Sequence, residues 1–350
     1  MFGIKHPIAS AAMGPFRTTE LAIAVTEAGG LGMISHAHQS MDGREVDAIV
    51  ALKKNLDYVV EHTDGIFGFN IRTSRLTVDC DKLISETSKH IMGNPKLREQ
   101  CLYALTSAGS AKRLPLHKDF QKLREKTQIK HFHVAPALWL ADKCVAAGCD
   151  GLVVTGFEGG GHQSYEKVGG LVLLQQVQQK HPDIPKIACG GFATGAGMAA
   201  ALALGAGGIA MGSRFIASKD SEFHENYKNI VPAAKAQDTL VATGSLGTIR
   251  LWRNKYALSK GLVINKEEKM AEERSLVDHR TAISKEDLAE ELRKDAYAAF
   301  AAYQGDMENG AVLIGQSIGI VNQIDSVSDI IETIIKDAEK ALKNANNFVQ

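Results

Sequence analysis

Eight short apolar runs, separated by seven amphipathic stretches of helical period, fill the first 213 residues and constrain the fold more than any other feature. The runs are Pro7–Met13, Leu31–Ile34, Gly65–Ile71, Leu102–Thr106, His131–Ala135, Gly151–Thr155, Lys186–Gly190 and Gly208–Gly212. Helical patterns cover 20–28, 44–55, 79–92, 116–126, 137–147, 171–180 and 195–204. Parallel strands need a crossover long enough to hold a helix, so this alternation predicts a parallel sheet wrapped by helices. A doubly wound open sheet shares the alternation. The count of eight favours a closed (β/α)8 TIM barrel, and so do the glycine-rich turns GFEGGGH, CGGFATG and MGSRF after the sixth, seventh and eighth runs. They place special backbone chemistry at strand C-terminal ends, the ligand face of such barrels.

A barrel takes about 250 residues, and the chain has 350. After Arg214 the pattern becomes more charged, with Lys266–Arg274 and Lys285–Lys294 reading as solvated helix faces, while Ala296–Tyr303 and Val327–Ala345 read as packed helices. The expected organisation is a barrel over 1–215 and 310–350, with a mostly helical substrate or lid region inserted at 216–309. The chain is expected to return at Gly310–Gly319 to finish the barrel. Lys+Arg 40 against Asp+Glu 40 leaves no global field to recruit nucleic acid or an anionic membrane. No run of 18 apolar residues is present to span a bilayer. Five cysteines without a C-x-x-C pair argue against a disulfide framework and for a cytoplasmic setting. The expected partner is a small molecule.

Three motifs could carry chemistry. In the segment from Lys186 to Phe215 one strand ends on Gly190-Gly191 and the next on Met211-Gly212-Ser213. Only glycine lets a phosphate approach backbone N–H groups this closely, and the last two βα loops are where barrels bind phosphate. Tight turns alone would also need glycine. In VVTGFEGGGHQ a glycine loop delivers one imidazole, His162, to the expected barrel mouth. An unperturbed pKa of about 6.5 suits histidine to proton transfer, although a histidine can also merely cap a loop. At the first strand end, Ala11, Ala12 and Gly14 beside Met13 would admit a flat ring, with core packing as the alternative for Met13.

Other polar residues have two readings each. Asn70 could bond a ligand or shape a turn. His131 and His133, like His36 and His38, sit at i and i+2, but a metal needs a third ligand and none is evident, so no metal is expected. Arg250 and Arg253 could hold an anionic substrate or brace the insertion through carboxylates.

On these motifs the chain resembles the nitronate monooxygenase family, formerly the 2-nitropropane dioxygenases, which also includes flavin-type enoyl-acyl-carrier-protein reductases. GFEGGGH is similar to the family's catalytic loop and CGGFATGAGMAAALALGAGGIAMGSRF to its phosphate segment. PIASAAMG, GGLGMIS, YALTSAG and SLGTIRLWRN match further stretches. The resemblance implies a flavin mononucleotide (FMN) oxidoreductase with His162 as the catalytic histidine. It implies flavin contacts from Gly160 and Asn70, and a phosphate cradle of Gly190, Gly191, Ala210, Met211, Gly212 and Ser213. Ala11, Ala12, Met13, Thr155 and Gly161 complete the expected cofactor set. The chain departs from the family pattern at Ser10-Ala11-Ala12-Met13, at Thr155 and at Gln163-Ser164. Three activities are left open: oxidation of alkyl nitronates with O2, NAD(P)H-dependent reduction of an enoyl thioester or quinone, and a non-redox barrel that binds a phosphorylated ligand. The first is preferred. NAD(P)H is the candidate electron donor and a homodimer the candidate assembly.

Overall fold

The computed structural model describes residues 1–37, 46–74, 79–244, 247–260 and 297–349, together with positions 267, 270, 271, 274, 275 and 278. Eleven strands are formed by these residues: β1 Ile8–Ser10, β2 Gly32–Ile34, β3 Phe67–Arg72, β4 Cys101–Ser107, β5 Lys130–Ala135, β6 Gly151–Thr155, β7 Gly161–His162, β8 Lys186–Cys189, β9 Gly208–Met211, β10 Thr239–Gly244 and β11 Gly247–Trp252.

Eight of them run parallel in the order β1-β9-β8-β6-β5-β4-β3-β2. A parallel bridge between Ala9 and Leu31 joins the two ends of that order, with Ser10 N donating to Leu31 O at 3.1 Å and Leu31 N to Ile8 O at 2.9 Å. The sheet is therefore a closed (β/α)8 barrel, and each of the eight apolar runs supplies one of its strands.

Such strands are covered on both faces, which is why they read as continuous apolar runs rather than as an alternation. β6 and β9 are buried throughout. The period of two still sorts their side chains. Val153 and Ala210 point into the lumen with Tyr103, Leu105 and Phe132. Leu152, Val154, Ile209 and Met211 point outward, under helices Leu138–Ala146, Gly170–Lys180 and Gly195–Ala203. The last helix, Val327–Asn346, starts at a Ser326 cap and lays Ile330, Ile331 and Ile334 into this same outer layer.

The region after β9 differs from its sequence reading. Besides short helices it holds an antiparallel hairpin, β10 on β11, paired from Thr239↔Trp252 to Gly244↔Gly247. β11 also pairs with β7, Ile249 opposite His162 and Arg250 opposite Gly161. Short strands interrupted by Thr and Arg gave no clear periodic signal. Lys285–Lys294 and most of Lys266–Arg274 lie outside the described residues. Residues 310–315 add no strand to the barrel, which ends with β9. They pass beside the glycine loop instead, with Gly315 N donating to Ser213 Oγ at 2.9 Å and Gln316 N to Glu158 O at 2.8 Å.

Candidate active site

A cavity of about 900 Å³ opens at the C-terminal ends of the barrel strands, a size suited to a cofactor with its substrate. Ala11, Ala12 and Met13 line it from β1, Asn70 from β3, and Thr155, Gly160, Gly161 and His162 from β6 and the loop that follows. Gly190 and Gly191 after β8, and Ala210, Gly212 and Ser213 around the end of β9, complete that wall. Met211 does not reach the cavity. It follows the lumen-facing Ala210, so the pleat turns its side chain into the outer core, where it is 1% exposed. Only its carbonyl serves the mouth, accepting from Ala11 N at 2.9 Å.

The β8–β9 side is built from backbone. Gly190 and Gly191 have φ of 80° and 86°, the left-handed region that a side chain disfavours. A Cβ on Gly190 would also lie 2.7 Å from Gly156 O. A Cβ on Gly212 would make only ordinary van der Waals contacts, with Ala11 Cβ and Met13 Sδ at 3.8 Å and Met13 Cγ at 3.9 Å. Paired glycines with small neighbours are the kind of wall that could admit a phosphate.

The glycine loop after β6 is clamped on several sides. Gly160 packs so closely on the chain at 314–315 that a Cβ would come within 2.6 Å of Ile314 C. Glu158 accepts from Gly170 N at 2.8 and 3.1 Å, setting a carboxylate on the positive end of helix Gly170–Lys180. Gln163 donates from Nε2 to Gly159 O at 2.7 Å and from its backbone N to Thr248 O at 2.8 Å.

Arg250 is the main brace of that loop. Its Nε and one terminal nitrogen donate to Phe157 O at 3.1 and 2.9 Å, the other donates to Thr239 Oγ1 at 2.9 Å, and the guanidinium lies 4.7 Å from the Phe157 ring centroid. Burial lowers its pKa, opposed by the nearby Glu158 carboxylate. It does not line the cavity and, among the described residues, forms no ion pair; it holds the glycine loop through a carbonyl. Arg253 is exposed, its backbone N–H bonded to Asp238 O. His162 thus sits on a short strand fixed by both the loop and the hairpin.

The paired histidines belong elsewhere. Phe132 occupies the lumen, so His131 and His133 face outward and are fully buried. The Thr106 hydroxyl bridges them, 2.7 Å from His131 Nε2 and 2.6 Å from His133 Nδ1. Burial lowers their pKa values to about 3 and about 4, so both rings are neutral. His36 accepts from Arg72 N at Nδ1, 3.1 Å away, and His38 lies outside the described residues. Among the described residues no three His, Cys, Asp or Glu side chains group as a metal site, and no helix is long and apolar enough to cross a membrane.

On the β3–β4 side of the mouth, where Asn70 was expected, sequence reasoning missed Arg72. Arg72 follows Asn70 by two residues and so shares its face, a spacing visible in FGFNIR. Asn70 donates from Nδ2 to Leu105 O at 3.1 Å and Ser107 Oγ at 3.2 Å. The Arg72 guanidinium has no carboxylate partner among the described residues, its Nε is shielded without a hydrogen bond, and burial lowers its pKa. Cys189 lines the cavity from β8, its thiol pushed up to about 11 by burial and therefore protonated at neutral pH.

The closed barrel and its glycine-walled cavity place the protein in the TIM-barrel class, and comparison with known proteins supplies the family. The nitronate monooxygenase family model matches residues 1–337, and the chain belongs to that family of flavin oxidoreductases. The FabK structure from Thermotoga maritima is 28% identical with a TM-score of 0.77, covering 99% of this chain and 97% of its own. A (3aS,4S,5R,7aS)-5-hydroxy-7a-methyl-1-oxo-octahydro-1H-indene-4-carboxyl-CoA dehydrogenase from Rhodococcus jostii is 27% identical, over 98% of this chain and 95% of its own length. A probable nitronate monooxygenase from Staphylococcus saprophyticus is 29% identical over 69% of this chain and 73% of its own.

Proposed function

We propose that the chain is an FMN-dependent oxidoreductase that oxidises alkyl nitronates with O2, and that His162 handles the proton. The observation that carries this reading is the placement of His162 and the Gly190–Gly191 turn on the walls of one cavity. Gly190, Gly191, Gly212 and Ser213 would hold the cofactor phosphate, where β8 and β9 end. Ala11, Ala12 and Ala210 leave room for a flat ring, with Met13, Asn70, Thr155, Gly160 and Gly161 around it. The flavin supplies the electron transfer when bound.

The chain's own residues orient the substrate and manage its proton. The His162 imidazole removes the α-proton of a nitroalkane or steadies a preformed nitronate by hydrogen bonding, a role worth about 10²–10⁴ in rate. Arg250 and Gln163 keep the loop that presents it from shifting. The test is His162→Ala, which is expected to keep bound flavin and slow nitronate turnover; unchanged turnover would remove His162 from the mechanism.

A second reading, NAD(P)H-dependent reduction of an enoyl thioester or quinone, draws on a specific observation. The FabK and carboxyl-CoA dehydrogenase relatives align along nearly the whole chain, whereas the Staphylococcus nitronate monooxygenase aligns with 69% of it. Anaerobic mixing separates the two: bleaching of the flavin by NADH or NADPH supports the reductase, and bleaching by nitronate alone supports the monooxygenase.

A further inference from the structure

We infer that Arg72 is the anchor of an anion-binding subsite for the substrate, which therefore carries a carboxylate or phosphate remote from its reacting atoms. This deepens the proposed function and rests on it for which end of the cavity reacts.

Topology separates the subsite from the glycine cradle. Around the closed ring, β3 lies four strands from β8 in either direction, by β6, β5 and β4 to β3 or by β9, β1 and β2 to β3. A group held at Arg72 is thus across the mouth from one held at Gly190–Gly191. Asn70 and Arg72 face the same way, and Arg72 ends the strand, nearer the opening.

The side chain is set up for an anion. A guanidinium offers five donors in a planar fork that matches carboxylate and phosphate oxygens two at a time. In most partly buried arginines a carboxylate or carbonyls take up those donors, as carbonyl and hydroxyl oxygens do for Arg250 here. Arg72 makes no such bond among the described residues, and its Nε is closed off from solvent without a partner. A shielded cation with donors unused is costly unless a ligand completes it.

Two further observations agree. Among the described residues lining the cavity there is no Asp or Glu, while Arg72, Lys112 and Lys143 all line it. Lys112 and Lys143 are exposed at the rim, the latter 4.7 Å from the Trp139 ring centroid, so they would draw an anion toward the mouth. Beside Arg72, Ser107 Oγ accepts from Asn70, which leaves its own hydrogen free to donate to a ligand. The shared chemistry is an oxyanion, as on a carboxylated nitronate or on the phosphates of a coenzyme A thioester.

Calorimetric titration of the purified protein with succinate and, separately, with coenzyme A tests this, because heat of binding is read whether or not the flavin reading holds. Visible absorbance of the same samples reports flavin independently. One of the two anions is expected to bind the parent protein and to bind Arg72→Gln at least about tenfold more weakly, the scale of a lost charge-assisted hydrogen bond. Arg72→Lys should retain part of the affinity, which guards against misfolding as the cause. Dependence with succinate marks a small organic acid as the substrate, and with coenzyme A an acyl thioester. No binding of either anion, or equal affinity in parent and Arg72→Gln, overturns the subsite.

Discussion

The two halves of the barrel mouth are built in opposite ways. At β8–β9 the wall is backbone and small side chains, Gly190, Gly191, Ala210, Gly212 and Ser213, so space itself would be the recognition element there. At β3–β4 the wall carries the polar side chains Asn70, Arg72 and Ser107, and on the proposal above charge would be the recognition element. A backbone site needs particular residue types at fixed places, as Gly190 shows by its left-handed φ and its approach to Gly156 O. A side-chain site can be retuned by single substitutions without touching the barrel. The first half therefore suits the constant part of the chemistry and the second the part that changes with substrate.

The largest expected effect falls between the two halves. His162→Ala should lower turnover by about 10²–10⁴ with flavin content unchanged, measured by steady-state rates per bound flavin. Next, Gly212→Val would fill the space beside Ala11 and Met13. The expected result is protein that folds but loses flavin on gel filtration, read from visible absorbance, whereas Arg72→Gln keeps it. If both variants lose flavin, the division between cofactor half and substrate half collapses.

Arg250→Gln should act on neither half directly. It removes the donors to Phe157 O, so loop stability should fall by about 1.5–3 kcal/mol, seen as a lower Tm together with a reduced kcat. An unchanged kcat would mean that the glycine loop holds His162 without this brace.

A pH effect on stability should arise outside the mouth altogether. His131 and His133 have pKa values depressed to about 3 and about 4, below the ordinary value of about 6.5. The unfolded chain therefore binds more protons than the folded one between these values. Stability is full above about pH 6.5 and falls as pH drops toward 4, by up to about 1.4 kcal/mol per pH unit for each ring. Denaturant midpoints of the parent and of His131→Gln/His133→Gln across pH 4 to 7 check this. The same slope in both would assign the acid lability to other groups.

The smallest effect is expected of Lys112→Gln at the exposed rim. Screening limits such a charge to well under about 1 kcal/mol, so anion affinity should weaken slightly and lose part of its salt dependence.

The sequence was most readable where physics leaves few choices. Fully covered strands demand continuous apolar runs, so all eight barrel strands could be placed, and the left-handed turn at Gly190–Gly191 favours glycine, so the end of β8 could be placed as well. Period two could also have shown that Met211 faces away from Ala210, since both lie on one strand. The hairpin β10–β11 was not readable, because its pairing with β7 depends on a contact between residues nearly ninety positions apart, as Ile249 with His162. Arg72 stayed hidden for a related reason. That an arginine has no partner depends on which carboxylates the fold brings near it, and spacing along one strand does not reveal that. The pair His131 and His133 shows the converse, since metal-like spacing on one face turned out to share a single threonine hydroxyl inside the outer core.

The central claim is that a flavin rests between the glycine cradle and His162, and anaerobic mixing of the purified protein with propionate 3-nitronate tests it most directly. The account predicts a yellow protein whose flavin band bleaches on mixing with the nitronate and returns when oxygen is admitted. A colourless protein, or a flavin band that the nitronate and NAD(P)H both leave unchanged, would contradict it.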